Sequence, residues 1–294
     1  MYSEWAEDEI RIEMLKVYAR HGVFQEETEN GQDFYINAVL YTDTSRAGRS
    51  DNLKESIDYG EVCKFLTEWM KNNTCLLLET VAERLAEAVL LKYPLAASLE
   101  LEIRKPDAPI PLPFGCVSVK IRRGWHRAYI GIGSNMGDRR GYMDSAVEAL
   151  KAHPLIKLGR ISEYIVTSPY GGVEQEDFLN GALELETLLK PRELLEALHE
   201  IEAAAERKRT IHWGPRTLDL DILFYDNICY FDDSLIIPHP DMGNRSFVLQ
   251  PLLEIAPYLR HPGNGKTVRE MEQALEERRR GMGAAEKGYR QRKG

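Results

Sequence analysis

The chain has 294 residues, 43% hydrophobic and 29% charged, which is enough apolar material for two ordinary globular cores. Its 38 Lys+Arg against 47 Asp+Glu leave a formal net charge of −9. That balance argues against non-specific nucleic-acid binding, which depends on neutralising phosphates, but a local arginine cluster can still serve an anionic small ligand. No apolar run approaches the roughly 20 residues of a membrane helix, and MYSEWAEDEI lacks the layout of a signal peptide. Cys63, Cys75, Cys116 and Cys229 form neither a CxxC pair nor a zinc spacing, and read as idle thiols in a reducing cytoplasm.

In chain order, residues 10–18 (IRIEMLKVY) and 33–43 (DFYINAVLYTD) alternate as half-buried strands do. A polar stretch, TSRAGRSDNLKES, leads into a helix at EVCKFLTEWMKN. A second helix follows at LLETVAERLAEAVLLKY, with Val81, Leu85, Ala88 and Lys92 at helical spacing and Pro94 as its stop. SLELEIRK and VSVKIRR read as strands around a turn-rich PDAPIPLPFG. RRGWHR, residues 122–127, is a polar seam and the expected linker.

The pattern then restarts with a strand at AYIGIGSN, a helix at RGYMDSAVEALKAH, and strands at ISEYIVT and LNGALELET. A helix opened by Pro191 follows, then a strand at TLDLDILFY and a helical segment after Arg245. Strand–helix–strand–strand–helix–strand is the order of a ferredoxin-like α+β sandwich. The basic, Gly-rich RRRGMGAAEKGYRQRKG is expected to be a flexible tail. The expected division is residues 1–122, 127–280 and a tail at 281–294.

The most informative segment is WGPRTLDLDI, residues 213–222. Residues two apart in a strand share a face, so Asp219 and Asp221 point together while Leu218, Leu220 and Ile222 turn to the core. Paired carboxylates repel unless a cation sits between them, and magnesium fits, completed by water and phosphate oxygens. A bare DxD can also be a polar stripe on an edge strand, and an RKR run a solvated helix end. Here Arg207, Lys208, Arg209, Arg216 and Arg245 surround the pair in sequence, and carboxylates with arginines suit metal-assisted phosphoryl transfer.

GSN (133–135), SPYGG (168–172), FLNGAL (178–183), WGPRTLDLDI and PHPDMGNRSF (238–247) resemble the 6-hydroxymethyl-7,8-dihydropterin pyrophosphokinase family in order, over about residues 127–275. The resemblance implies transfer of the terminal pyrophosphoryl group of ATP to a pterin hydroxymethyl oxygen, with release of AMP. It implies two Mg²⁺ ions held by Asp219 and Asp221. By the same resemblance Asn180 hydrogen-bonds the pterin, Phe178 and Phe247 sandwich its ring, and Thr167, Ser168 and Tyr170 border it. Glu202, Arg207, Arg209, Trp213, Arg216, Ile222, His239 and Arg245 match nucleotide-site positions. Arg207 and Arg216 would stabilise the transferring group, and Trp213 would lie on a closing loop.

The first half holds no metal cluster or nucleophile elbow. It offers Lys105 at a strand end, Glu79 opening a helix, and Glu27 in the loop after HGV. Taken singly, a helix-start Glu is favoured by the dipole and a strand-end Lys is ordinarily solvated. Together YARHGVFQEE (18–27), AGRSDNLKESIDYGEV (47–62), LLLETVAER (76–84) and IRKPDAPIP (103–111) resemble the dihydroneopterin aldolase family. That family has the tunnelling fold, a barrel of several subunits with sites between neighbours. The resemblance implies that Glu79, with Leu78 and Ile57, anchors the pterin and that Lys105 is a general base acting through a water. Tyr59 from a neighbouring subunit would shuttle a proton, and Glu27 would complete the acid-base network.

The expectation is therefore a cytoplasmic, homo-oligomeric, bifunctional enzyme of folate biosynthesis. It would act on small pterins and ATP, with no nucleic-acid or membrane partner and no cofactor for the aldolase. The alternative is that the first half is an oligomerisation scaffold or a pterin epimerase, leaving only the pyrophosphokinase active.

Overall fold

The computed structural model describes residues 8–169, 176–205 and 216–291, with side chains described up to residue 281. The chain divides into two compact units, residues 1–125 and 126–294.

The first unit runs β1 (Asp8–Ala19), α1 (Gln25–Asn30), β2 (Gln32–Thr42), α2 (Ser45–Ser50), α3 (Tyr59–Asn72), α4 (Leu78–Lys92), β3 (Ser98–Lys105) and β4 (Val117–Gly124). The strands form one antiparallel sheet in the order β1-β2-β3-β4. Two strands, two long helices and two strands are the order of the tunnelling fold. Strict alternation on β2 buries Phe34, Ile36, Ala38 and Leu40, and on β3 it buries Leu99, Leu101 and Ile103. Lys105 continues that inward-facing series, so the pleat itself directs a lysine into the interior. On β1 the register shifts between Ile12 and Leu15, where Met14 adopts a positive φ.

Asp58 caps α3 by accepting from the Gly60 and Glu61 amides. The buried face of α4 is Val81, Ala82, Leu85, Ala86, Val89 and Leu90. The expected line through Ala88 and Lys92 catches only its margin, since Lys92 is exposed.

The second unit runs β5 (His126–Ser134), α5 (Arg139–Ala152), β6 (Ile156–Ile161), β7 (Ile165–Thr167), β8 (Phe178–Thr187), α6 (Pro191–Ala204) and β9 (Asp219–Tyr225). The hairpin strands β10 (Tyr230–Phe231) and β11 (Ile236–Ile237) then precede α7 (Ser246–Ile255) and α8 (Val268–Gln291). The sheet order β6-β8-β5-β9, antiparallel throughout, with α5 and α6 on one face, is the ferredoxin-like sandwich. One core lies between that face and α5 and α6. A second forms on the opposite face, where Tyr129, Ala182, Leu223 and Phe224 meet Leu249 and Leu252 of α7 and Val268, Met271 and Leu275 of α8.

Three expectations are corrected. The polar seam at 122–127 is mostly strand, with Trp125 alone between β4 and β5, because the Trp125 amide continues the pairing by donating to the Ala97 carbonyl at 3.0 Å. Glu27 lies in a short helix rather than a loop. The residues after 280 are not a flexible tail through most of their length: α8 continues to Gln291. The buried Val268, Met271 and Leu275 anchor the start of that helix, and it runs on through Gly281, Gly283 and Gly288 against the cost that glycine adds to a helix interior. Among the described residues no helix is long and apolar enough to cross a membrane.

Candidate active sites

In the first unit, Glu27 and Lys105 meet as a buried ion pair. Gln32 donates to Glu27 Oε1 at 3.2 Å, and the Phe24 amide donates to Oε2 at 3.1 Å. Burial alone would raise the Glu27 pKa, but Lys105 and these donors outweigh it and hold the carboxylate below its ordinary value. Gly22 makes this arrangement possible. Its φ is +154°, and a Cβ there would fall 2.3 Å from Glu27 Oε2. Lys105 Nζ stands 5.9 Å from the centre of the Phe34 ring.

His21 packs edge-on against the same ring at 5.4 Å and is fully buried, a neighbour of the site that the sequence reading did not single out. Burial first, and the Lys105 charge second, push its pKa down to about 4, so the imidazole is neutral at ordinary pH.

The other expected residues of this half lie at helix starts. Tyr59 begins α3 and is 66% exposed. Glu79 occupies the first turn of α4 and is exposed, Leu78 is half-buried and Ile57 is buried. Within the single chain, Glu79 and Tyr59 are not joined to the Glu27–Lys105 pair by any hydrogen bond or ion pair among the described residues. Exposed apolar side chains flank them: Val23 and Phe24 beside α1, Leu53, and Leu76 and Leu77 ahead of α4.

In the second unit, Asp219 and Asp221 face Gly133 and Gly131 across the β5–β9 ladder, and Asn180 of β8 faces Gly133 from the other side. Cross-strand partners share a face, so Asn180, Gly133 and Asp219 make one row on the face away from α5 and α6. A Cβ at Gly133 would meet Asn180 Oδ1 at 2.8 Å, so glycine keeps that row open. Asn180 donates to Thr167 Oγ1 at 2.8 Å.

Arg216 pairs with Asp219. The Arg216 amide donates to Asn135 Oδ1 at 2.7 Å, and its carbonyl accepts from the Asn135 amide at 3.0 Å, so the GSN turn grips this arginine. Burial and the Asp219 charge push the Asp221 carboxyl up to about 7, against the opposing pull of Arg216 and Arg245.

Arg245 precedes the first residue of α7, pairs with Asp241 at 2.9 Å and lies 5.8 Å from the Phe247 ring centre. His239 donates its amide to the Leu223 carbonyl at 3.1 Å, and burial and Arg245 lower its pKa. Phe178 and Phe247 are half-buried and Ser168 is exposed.

Two residues expected at the nucleotide site also have structural contacts. Ile222 packs its side chain into the core between sheet and helices, because it shares the inward face with Leu220. Glu202 is buried in α6 and accepts the Leu220 amide at 2.8 Å, satisfying a donor on the outer edge of β9. Tyr170, Arg207, Arg209 and Trp213 lie outside the described residues.

The two units thus define a protein with separate polar sites. One is a buried lysine–carboxylate pair, and the other is a carboxylate pair with Arg216 and Arg245 beside it. Residues 10–122 match the dihydroneopterin aldolase family and residues 129–257 the 7,8-dihydro-6-hydroxymethylpterin-pyrophosphokinase family. The second segment is 45% identical over 144 residues to the 2-amino-4-hydroxy-6-hydroxymethyldihydropteridine pyrophosphokinase of Methylorubrum extorquens, covering 49% of this chain and 90% of that one. The chain belongs to the pyrophosphokinase family through this unit, fused to a unit of the aldolase family.

A Bifunctional protein FolKE of Lactococcus lactis is 48% identical over 127 residues, 43% of this chain and 36% of that protein. The Folic acid synthesis protein FOL1 of Dictyostelium discoideum is 30% identical over 281 residues, 87% of this chain and 42% of that one. The chain spans only about a third of the length of the Lactococcus relative.

Proposed function

We propose that the chain carries out two consecutive steps of folate biosynthesis. Residues 1–122 cleave 7,8-dihydroneopterin to glycolaldehyde and 6-hydroxymethyl-7,8-dihydropterin, and residues 127–280 transfer pyrophosphate from ATP to that product. What carries this reading is that each family-matched segment gathers its own polar cluster: Glu27 with Lys105, and Asp219 and Asp221 with Arg216 and Arg245.

In the retro-aldol step Lys105, as the neutral amine, takes the proton of the side-chain hydroxyl through a water, and Glu27 stabilises the ammonium that forms. The ring imine of the dihydropterin accepts the electron pair of the broken carbon–carbon bond, so neither a Schiff base nor a metal is needed, and a proton relayed through Tyr59 to the carbon of the resulting enamine restores the imine and completes the hydroxymethyl product. Glu79, in the first turn of α4, anchors the pyrimidine edge beside Leu78 and Ile57. Tyr59 serves a neighbouring subunit, in keeping with its exposure and the apolar residues around the site, so the first unit assembles as a homo-oligomer.

In the second unit the donors fit a hard divalent cation. Two carboxylates crowd one face, and burial with mutual repulsion lifts one of them, a strain that a cation relieves. Among the described residues no three His, Cys, Asp or Glu form a ready-made metal cage. Asp219 and Asp221 would therefore hold magnesium, as two ions, with water and phosphate oxygens completing the shell. Bound there, magnesium would neutralise charge on the triphosphate.

Arg216 and Arg245, with Arg207, Arg209 and His239, orient the ATP phosphates and steady the transferring group. Asn180 reads the pterin edge while Phe178 and Phe247 enclose its ring, with Thr167, Ser168 and Tyr170 at its border and Trp213 closing over the nucleotide. Four free cysteines fit a reducing, cytoplasmic setting.

The decisive experiment is incubation of the purified protein with dihydroneopterin and Mg-ATP and identification of every product. Glycolaldehyde, 6-hydroxymethyl-dihydropterin diphosphate and AMP are expected. Orthophosphate in place of AMP would mark a phosphohydrolase. Absence of glycolaldehyde would favour a scaffold or epimerase, a reading that the buried Lys105–Glu27 pair disfavours.

A further inference from the structure

His21 is fully buried yet serves no step of the proposed chemistry. Its Nδ1 accepts the Cys75 amide at 3.2 Å, and the Gly22 amide donates back to the Cys75 carbonyl at 3.0 Å. These two bonds join segments 54 residues apart in sequence. One is the end of β1, which leads into α1 and Glu27. The other is the stretch before α4, four residues ahead of Glu79. Because Nδ1 is an acceptor, the ring proton sits on Nε2, and the Met70 backbone is its hydrogen-bonding neighbour.

We propose that His21 is a positioning residue of the aldolase site, fastening the segment that carries the pterin anchor Glu79 to the one that carries Glu27, and hence to Lys105. This rests on the aldolase reading of the first unit. The acceptor at Nδ1 fixes the depth at which α4 begins, and the edge of the ring against Phe34 fixes the wall beside Lys105. A neutral imidazole performs both tasks without adding a second cation next to Lys105. A protonated ring would lose the acceptor and repel the ammonium, consistent with the depressed basicity that burial and Lys105 give it.

The test compares the intact protein with His21→Phe, which keeps an aromatic edge but no acceptor, and His21→Asn, whose amide oxygen can replace Nδ1. Thermal unfolding and steady-state aldolase kinetics with dihydroneopterin are read on each, with the pyrophosphokinase as an internal control. In His21→Phe, KM should rise roughly fivefold to tenfold while kcat moves less, since anchoring is loosened and Lys105 stays in place. In His21→Asn, KM should return to within about threefold of the parent. Folded His21→Phe with unchanged KM would overturn the proposal, as would His21→Asn with a KM as high as that of His21→Phe. If His21→Phe does not fold, the His21→Asn comparison with the parent decides alone. An unaltered parent that releases no glycolaldehyde would instead defeat the aldolase reading, so the two failures are distinguishable.

Discussion

Glu27 and Lys105 stand 78 residues apart in the chain and close on each other as a buried ion pair, each under a tenth exposed. A charge pair out of water is weak evidence of stability, because desolvation offsets most of the attraction. Its position suits a pair kept for chemistry. Replacing Lys105 with Met should lower dihydroneopterin cleavage by about 10²–10⁴-fold, the usual worth of a placed acid-base group. Transfer to supplied 6-hydroxymethyl-dihydropterin should be unchanged. Near-parental cleavage by a folded variant removes Lys105 from the mechanism.

Gly22→Ala should be costly for two reasons that act together. The backbone there is in a region L-residues avoid, and the new methyl would collide with the Glu27 carboxylate. We expect a loss of about 1–3 kcal/mol from the first unit, with aldolase activity falling alongside. A denaturation midpoint equal to the parent's would show that Glu27 is free to move aside.

The pH dependence of the first unit follows from His21 and Glu27. The folded pKa of His21, about 4, lies below its ordinary 6.5. Between those values the unfolded chain binds the proton and the folded one does not, so stability falls as pH drops from 6.5 to 4. Glu27 is also depressed, so its contribution is present above the ordinary carboxylate range and is lost at still lower pH. Hydrogen exchange of β2 and β3 amides should accelerate from pH 6.5 downward, after correction for intrinsic rates. His21→Phe should flatten the upper part of that slope; an equal slope in both proteins would assign it elsewhere.

Magnesium should raise the unfolding temperature of the second unit, more at pH 8 than at pH 5, because protons compete for Asp221. Asp219→Asn or Asp221→Asn should remove both that shift and pyrophosphoryl transfer, while aldolase activity persists. Loss of glycolaldehyde release on chelation would contradict the metal-free reading of the first unit.

Tyr59 is exposed on its own chain, which suits service to a neighbour. Tyr59→Phe and Lys105→Ala chains should each be nearly inactive as aldolases. Mixed and reassembled, they should recover part of the activity at interfaces that pair an intact Tyr59 with an intact Lys105. Subunit exchange should be verified with differently tagged chains; exchange without recovery refutes the shared site.

Much of this was legible in the residues. Alternation along β3 carries Lys105 inward as surely as Leu99 and Leu101, and the DLD alternation puts Asp219 and Asp221 on the face opposite Leu220. Less legible was anything made by contacts between distant segments. Glu27 looks like a loop acid until Gly22 and Lys105 close around it, and His21 signals nothing until Cys75 arrives from 54 residues away. Glu202 is a similar case: its carboxylate accepts the amide of Leu220, 18 residues on, a contact its own sequence surroundings do not announce. The helix beyond residue 280 was hidden by local glycines, since its nucleus lies a turn or more upstream.

The wall made by α7 and α8 bears on how this enzyme can be dissected. The family-matched segment ends at residue 257, before Val268, Met271 and Leu275 close the second face of the sheet. Past that end, Glu272 also receives the Ser246 hydroxyl at 3.1 Å, and Arg278 reaches the Gly243 carbonyl and Asn244 at 3.3 Å. Those bonds brace the loop that presents His239, Arg245 and Phe247. A fragment cut where the recognisable sequence stops would keep every motif and lose the buttress behind them, so a minimal catalytic fragment has to include α8 through Arg278.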